Sequence, residues 1–321
     1  MRILIVCSGN SGFISPFVKE QAESIETLAN EILIYPIVGK GIIGYLKNIP
    51  KIKHNIRKFS PDIIHAHYGL SGLISSFVSR KIKLVVTYHG NDINPSTTFN
   101  TNKISLNRFF SLLSSRRSAF SILVNKDFTK KIYLNSRRHA VIPCGVNINQ
   151  FYELDKIDSR RKLGLNKHEK YILFSSAFDN KVKNYELAKK AIEKINKINL
   201  VELKGYKREE VNLLLNACDI ALLTSLNEGS PQFIKEAMAT NCPIVATDVG
   251  DIKELTEGIN GCFITSFNYN DVENKINKAL DFSKNIERTN GRERIIHLGL
   301  DTEAIAKKID SIYKDLQMNG K

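Results

Sequence analysis

Short runs of β-branched and aliphatic residues alternate with helix-period stretches along nearly the whole chain, and that alternation admits few folds. Ile3–Val6, Ile32–Val38, Asp62–Tyr68, Leu84–Gly90, Ser121–Asn125 and His139–Val146 read as six strands. Their apolar residues are consecutive rather than alternate, as in strands buried on both faces. After the first, SPFVKEQAESIETLAN reads as a helix with Ser15 as N-cap and Pro16 at the first helical position. The pattern then restarts, with strands at Tyr171–Ala177, Leu200–Tyr206 and Ile220–Ser225 and helices over Val182–Asn196 and Lys207–Asp219. Strands separated by helices form a parallel, doubly wound sheet, and a chain of 321 residues has room for two domains of roughly 150 residues each. The expected organisation is α/β: two Rossmann-like domains, 1–150 and 151–321, facing across a cleft, with Val146–Asn166 as the linking segment. Ligands of such sheets bind outside the strand C-terminal ends, which makes the cleft the expected site. A terminal helix over 302–316 carries Ile305, Ile309, Ile312, Tyr313 and Leu316 at helical spacing. It either packs back on the first domain or completes the core of the second.

Charge separates the two halves. Residues 1–150 carry 20 Lys and Arg against 7 Asp and Glu, whereas the remainder carries 27 against 26. An excess confined to one half implies an anionic partner for that half, a nucleic acid or an anionic membrane surface. Recognisable nucleic-acid-binding motifs are missing, which favours the membrane. Lys40–Phe59 is basic and amphipathic: Ile42, Tyr45, Leu46, Ile49, Ile52, Ile56 and Phe59 share a stripe, Lys47, Lys51, Lys53, Arg57 and Lys58 lie off it, and Pro50 interrupts it. That pattern fits an interfacial helix, and a core-facing helix with a basic outer face fits the stripe as well. Lys103–Arg117 repeats the basic-plus-aromatic composition. No apolar run approaches the ~20 residues of a membrane span, and MRILIVCSGNSG reads as a first strand rather than a signal peptide. Five scattered cysteines without metal spacing fit buried thiols in a reducing cytoplasm.

The most informative segment is Asn227–Glu254, NEGSPQFIKEAMATNCPIVATDVGDIKE. Glu228 stands just before a helix N-terminus and Glu236 two turns along it, with Gly229, Ser230 and Pro231 between. Carboxylates accept hydrogen bonds from sugar hydroxyls, and N–H groups at a helix start face anions. The pair therefore suits a polyhydroxyl ligand that carries phosphate; a surface helix with a glutamate at each end is the ordinary alternative. Lys181 and Lys183, between a strand and a helix, could neutralise a departing diphosphate, although a lysine in such a loop is commonly just solvated. The loop Ser8–Gly12 follows the first strand, where backbone amides often hold phosphate, but it matches neither G-x-G-x-x-G nor a Walker loop. His65 and His67 share one face of their strand, without a third ligand for a metal. In His89–Asp92 (HGND) the imidazole stands on a turn at a strand C-terminus, and Asp92 is expected to cap the element that follows.

Taken together, SPFVKEQA after a Gly-containing loop, GKGIIGYLKNIP, DIIHAHYG, VVTYHGND, IPCGVN and the E-x7-E block running into PIVATDVGDIKEL resemble the family 4 retaining glycosyltransferases of GT-B fold. The wording is similar to bacterial enzymes of lipopolysaccharide, capsule and exopolysaccharide assembly. The resemblance spans almost the whole chain and implies an acceptor-side first domain and a second domain that binds a nucleotide sugar, UDP- or GDP-linked, as substrate. It implies that Glu228 contacts sugar hydroxyls, that Glu236 binds the ribose, and that the backbone of Gly229, Ser230 and Pro231 approaches sugar and diphosphate. His89 would stand beside the donor sugar near the reacting carbon, Gly12 would line the diphosphate and acceptor side, and Gly205-Tyr206 would hold the base. The family's G-R-L arginine has no counterpart in SSAFDNKVKN (175–184). Lys183 matches the family lysine, and Lys181 is the nearest substitute for the arginine.

By the same resemblance the enzyme needs no metal and no cofactor, and substitution occurs on one face of the sugar, the leaving phosphate taking the acceptor proton. His89, Glu228 and Lys183 would carry the chemistry. The expected setting is cytoplasmic, peripheral at the inner face of the cytoplasmic membrane, with a lipid-linked or saccharide acceptor. Two other classes fit less well: a GT-B-like sugar-nucleotide epimerase, and a non-catalytic basic binding protein with a degenerate donor site.

Overall fold

A computed structural model describes residues 1–93, 106–132, 138–286 and 288–318. The chain divides into two compact units, residues 1–145 with 302–321, and residues 146–301. The second unit thus begins at Val146, a few residues ahead of the boundary expected from the sequence, and ends at Asp301.

Unit one holds a six-stranded, all-parallel sheet: β1 (Arg2–Ser8), β2 (Glu31–Ile37), β3 (Ile63–His67), β4 (Lys83–Tyr88), β5 (Phe120–Leu123) and β6 (His139–Val141), in the order β2-β1-β3-β4-β5-β6. Register is regular, Ile3 facing Ile63 and His65 facing Val85. Consecutive apolar residues in β1 and β4 are buried on both faces. Between strands run α1 (Pro16–Glu26), α2 (Gly41–Leu46), α3 (Ile49–Phe59), α4 (Gly69–Ser76) and α5 (Leu106–Arg117). Pro16 and Pro50 stand in the first turns of α1 and α3, where a missing N–H costs nothing. Pro50 therefore starts a second helix, and the Lys40–Phe59 stretch is two helices. Most of its apolar stripe has a partner within unit one: Tyr45 and Ile52 are buried in the core, and Ile42, Ile49, Ile56 and Phe59 pack against it, while Leu46 is exposed. The core-facing reading accounts for the stripe, but not for the outward lysines.

The other basic-aromatic stretch turns a small-residue face inward. Ser111, Ser114 and Ser115 of α5 are buried, and a Cβ at Gly69 or Gly72 of α4 would lie 2.0 or 2.2 Å from the hydroxyl of Ser111 or Ser114. Lys103 of that stretch lies outside the described residues.

Unit two holds β7 (Lys170–Phe174), β8 (Ile198–Glu202), β9 (Ile220–Leu223), β10 (Ile244–Thr247) and β11 (Cys262–Thr265), again all parallel, in the order β11-β10-β9-β7-β8. Its helices are α6 (Lys156–Lys162), α7 (Tyr185–Ile192), α8 (Arg208–Ala217), α9 (Gln232–Ala239), α10 (Ile252–Thr256), α11 (Tyr269–Asn285) and α12 (Gly291–His297). In chain order the first five strands of each unit are arranged 2-1-3-4-5. Connections on the two sides of the first strand run in opposite directions, so a crevice opens beyond the C-terminal ends of β1 and β3, and of β7 and β9.

The terminal helix α13 (Thr302–Met318) belongs to unit one. It packs on α1, buries Ile305, Ile309, Tyr313 and Leu316, and is fastened by polar bonds: Asn30 Nδ2 donates to Asp310 Oδ1 at 2.9 Å, and Gln317 Nε2 to the Asp62 carbonyl at 2.7 Å.

Candidate functional site

In unit two the residues singled out by sequence converge at the crevice beyond β7 and β9. After β9 the chain runs through Thr224–Pro231 into α9; after β7 it makes a short 3-10 turn, Lys181–Lys183, before α7. The two loops are joined through the main chain. Leu226 N–H donates to the Val182 carbonyl at 2.9 Å, and the Thr224 hydroxyl to the carbonyls of Lys183 and Asn184 at 2.9 and 3.0 Å. That fastening brings Lys183 Nζ to 2.6 Å from Glu228 Oε1, with both side chains largely buried. Lys181, two residues earlier, is exposed.

Pro231 precedes α9 with no side-chain cap among the described residues. The first N–H groups of an α-helix lack intrahelical partners, so the end of α9 offers donors and a positive dipole. A buried polar group braces the loop in front of it. Lys235 is fully buried, and its Nζ donates to Ser230 Oγ at 3.2 Å. Burial pushes the Asp251 carboxyl up from its ordinary value, while Lys235 and a hydrogen bond from Ser230 pull it down. The Ser230 hydroxyl is thus spent inside the protein, leaving its backbone as the part that can meet a ligand. Gly250, at φ +65°, presses on the same loop: a Cβ there would lie 2.5 Å from the Gly229 carbonyl oxygen.

Glu236 is 3% exposed and paired, its Oε1 2.8 Å from Arg208 Nη1. Arg208 opens α8, immediately after Gly205-Tyr206 and Lys207, and its guanidinium lies over the Phe151 ring, 4.5 Å from the centroid. Arg208 therefore ties Glu236 to the loop after β8. In that loop Gly205 has φ +80° with open space around it, and Tyr206 is exposed.

Unit one carries the other two residues. Gly12, at φ +81° with open space where a Cβ would stand, lies in the β1–α1 loop, which Asn10 ties to Gly39 by two hydrogen bonds of 2.7 and 2.9 Å. A cavity of about 510 Å3 opens there, lined by Ser8, Asn10, Ser11, Tyr45, Tyr68 and Asp92 among others. His89 follows β4 and is buried: its Nε2 lies 3.2 Å from His67 Nδ1 and its Nδ1 3.8 Å from Cys144 Sγ. Tyr68, whose ring centroid is 4.5 Å from that of His89, has φ 72° and ψ 148°, a region other residues leave to glycine. Hydrogen bonds from Tyr68 N–H to the Thr87 carbonyl and from Gly72 N–H to the Tyr68 carbonyl, both 2.9 Å, hold it there.

The chain after Ile93, where an element capped by Asp92 would begin, lies outside the described residues. Asp92 Oδ2 accepts the Gly69 N–H at 3.0 Å, at the start of α4, and burial pushes its carboxyl up to about 8 against the pull of backbone hydrogen bonds from Gly69, His89 and Asp92 itself. His65 and His67 do share one face, ring centroids 4.7 Å apart, and among the described residues no group of three or more His, Cys, Asp or Glu could hold a metal ion.

Arg208, Lys235, Asp251 and Tyr68 were not legible as site residues. Lys235 left one trace, a lysine inside the otherwise apolar FIKEAMA. The others depend on long-range contacts or on a backbone angle, neither of which a residue type announces.

The model of the family described as Glycosyltransferase Family 4 matches residues 5–150, and that described as Glycosyl transferases group 1 matches residues 179–281. An uncharacterised glycosyltransferase of Methanocaldococcus jannaschii is 28% identical over 270 residues, 78% of this chain and 75% of that protein. The UDP-Gal:alpha-D-GlcNAc-diphosphoundecaprenol alpha-1,3-galactosyltransferase of Escherichia coli is 24% identical, over 87% of this chain and 81% of that one. Among solved structures, sucrose-phosphate synthase from Thermosynechococcus elongatus superposes with a TM-score of 0.82 at 17% identity, covering 98% of this chain and 99% of that one.

Proposed function

The chain belongs to the family 4, group 1 glycosyltransferases, and from that premise we propose that it is a retaining hexosyl- or N-acetylhexosaminyltransferase of bacterial cell-surface polysaccharide assembly. Its two parallel-sheet domains have the GT-B fold. The donor is a nucleotide sugar, UDP- or GDP-linked, and unit two binds it; the acceptor is a saccharide or a lipid-linked sugar, and unit one binds it. One observation carries the donor reading: at the crevice beyond β7 and β9, Lys183 pairs at 2.6 Å with Glu228, which lies on the loop that leads into the N-terminal end of α9. The Escherichia coli relative, whose name gives a UDP-sugar and a diphosphoundecaprenol-linked acceptor, supports the choice of substrates.

The roles follow from charge. Lys183 exchanges its carboxylate partner for a diphosphate oxygen, which releases both oxygens of Glu228 for donor-sugar hydroxyls. Lys181 and the amides of Gly229, Ser230 and the α9 end add positive potential where the leaving group gathers charge. Gly12 lines the diphosphate and acceptor side, Pro231 sets the loop against the sugar, and His89 hydrogen-bonds a sugar hydroxyl. Glu236 takes the ribose through Oε2 while Arg208 holds Oε1, and Gly205 with Tyr206 receives the base. The bond from the anomeric carbon to the phosphate oxygen breaks with its electron pair passing to the diphosphate. The acceptor oxygen bonds to that carbon on the same face, and its proton goes to the diphosphate. Lysines and helix amides supply the electrostatic stabilisation, so the step needs no metal and no cofactor.

No helix among the described residues is long and apolar enough to cross a membrane. We assign the protein to the cytoplasm, peripheral at the inner face of the cytoplasmic membrane. Exposed Lys40, Lys47, Lys51, Lys53, Arg57 and Lys58 of unit one meet anionic headgroups, beside exposed Phe13, Val38, Ile43 and Leu46.

The test is a thermal-shift screen against UDP-, GDP- and ADP-sugars, followed by transfer to undecaprenyl-diphosphate saccharides with NMR assignment of the product anomer. Retained configuration with EDTA present is the expected result. Inversion, metal-dependent turnover, or nucleotide release at full rate without acceptor, as an epimerase would give, would each overturn part of the reading.

A further inference from the structure

His67 is fully buried in β3, and among the described residues its side chain has one hydrogen-bond partner, His89, whose Nε2 lies 3.2 Å from its Nδ1. Its other nitrogen, Nε2, is buried with no hydrogen-bond partner among the described residues. The rings are nearly parallel, 18° apart with centroids at 5.5 Å. Behind His67, His65 stacks at 4.7 Å and is itself fixed at both nitrogens, by Tyr313 Oη at 2.5 Å and Thr87 Oγ1 at 2.7 Å. Hydrogen-bonded His65 thus backs His67, which in turn meets His89. Burial holds His67 neutral, its pKa driven down to about 3, so it has one proton to place.

Two placements exist. With the proton on Nε2, His67 would bury an N–H that has no acceptor, and such orphaned donors are rare in folded proteins. With the proton on Nδ1, only a lone pair goes unmet, and the N–H donates to His89 Nε2. His89 Nε2 then accepts, and the proton of neutral His89 must sit on Nδ1, which faces Cys144 Sγ at 3.8 Å. Sulfur is a weak acceptor, so a hydroxyl oxygen would be the stronger partner for this N–H.

We propose that His67 is a positioning residue for sugar transfer: its Nδ1–H fixes His89 in the Nδ1-protonated tautomer and in a set ring plane, so that His89 presents Nδ1–H as a donor to a sugar hydroxyl. The inference rests on the reading of His89 as a sugar-contacting group; the tautomer itself does not.

Long-range nitrogen–proton NMR of the imidazole rings reads the tautomer directly, in the full-length protein. The wild-type spectrum is expected to show the His89 proton on Nδ1, and His67→Leu to shift it towards Nε2. A wrong tautomer is costly in enzymes that depend on an imidazole, and His67→Leu should lower kcat by about 30-fold while the KM for the nucleotide sugar moves less than about threefold. His67→Asn, whose amide N–H stands near the place of Nδ1, should restore kcat to within about fivefold of wild type. A His89 proton on Nε2 in the wild type overturns the proposal, and so does a His67→Leu enzyme with unchanged tautomer and kcat. Should His67→Leu fail to fold, the wild-type spectrum and the His67→Asn enzyme decide. If His89→Phe keeps full activity, the role of His89 falls, while the tautomer measurement still stands or fails by itself.

Discussion

Lys183 and Glu228 lie 45 residues apart in sequence and meet at 2.6 Å, between loops already bonded to each other through the main chain. The carboxylate fixes the position of the lysine's ammonium group. Lys183→Ala should lower kcat by roughly 100-fold or more, as loss of a charge-stabilising donor does. Glu228→Gln should do likewise by weakening hydroxyl recognition. Steady-state transfer kinetics with the preferred nucleotide sugar measure both, and near-wild-type turnover in either variant would remove the pair from the chemistry.

Arg208 and Glu236 form the second pair of this site, the glutamate nearly inaccessible and the arginine partly exposed. Removing one partner of a buried pair strands the other charge, at a cost of about 3–5 kcal/mol. Arg208→Ala should therefore destabilise unit two by about that much and raise the KM for the nucleotide sugar more than it lowers kcat. Denaturant unfolding with parallel kinetics distinguishes this from a surface arginine, whose loss would leave both unchanged.

Gly250 combines φ +65° with contact against the Gly229 carbonyl. Gly250→Ala adds left-handed backbone strain of about 1–2 kcal/mol and pushes the Gly229 loop outward. The expected outcome is weaker donor binding by calorimetry, with the unit-one cavity unaffected.

Asp92 has a pH signature of defined sign. Its folded pKa of about 8 lies above the ordinary 3.8, so the folded state retains a proton that the unfolded chain gives up. The stability this contributes is complete below pH 3.8 and is lost as pH rises to about 8, by at most about 1.4 kcal/mol per pH unit. Thermal unfolding of the wild type should fall across that window relative to Asp92→Asn, which cannot ionise. A constant difference between the two proteins at every pH would exclude the assignment.

Lys47 and Lys51 are exposed on the loop after α2 and on α3, and neither is among the proposed site residues. The double variant Lys47→Glu, Lys51→Glu should release the protein from vesicles containing phosphatidylserine while sparing transfer to a water-soluble acceptor. Each cation near an anionic surface contributes about 1 kcal/mol, so sedimentation with vesicles should resolve the change. Equal binding by both proteins would disconnect this surface from membranes.

Much of the architecture was legible because its determinants are local. Consecutive apolar residues in β1, β3, β4 and β9 mark strands buried on both faces, and Pro16 marks a helix start from its own ring geometry. The Glu228–Glu236 motif was legible for the same reason, since it lies within one loop and one helix. Lys40–Phe59 shows the limit: its stripe fits a lipid surface and a protein core equally, and only the packing of Ile49, Ile52 and Ile56 on the sheet separates them.

Residue order thus established the two parallel sheets, the loops at their C-terminal edges and the chemical class of group each loop presents. Folding established the pairings: Lys183 with Glu228, Arg208 with Glu236, Lys235 with Ser230, and His67 with His89. It also assigned α13 to unit one, through Asn30 and Asp310, residues 280 positions apart. Hydrophobic periodicity repeats within a few residues and can be read along the chain. A hydrogen bond depends on distances between atoms that the chain brings together only once both loops are in place.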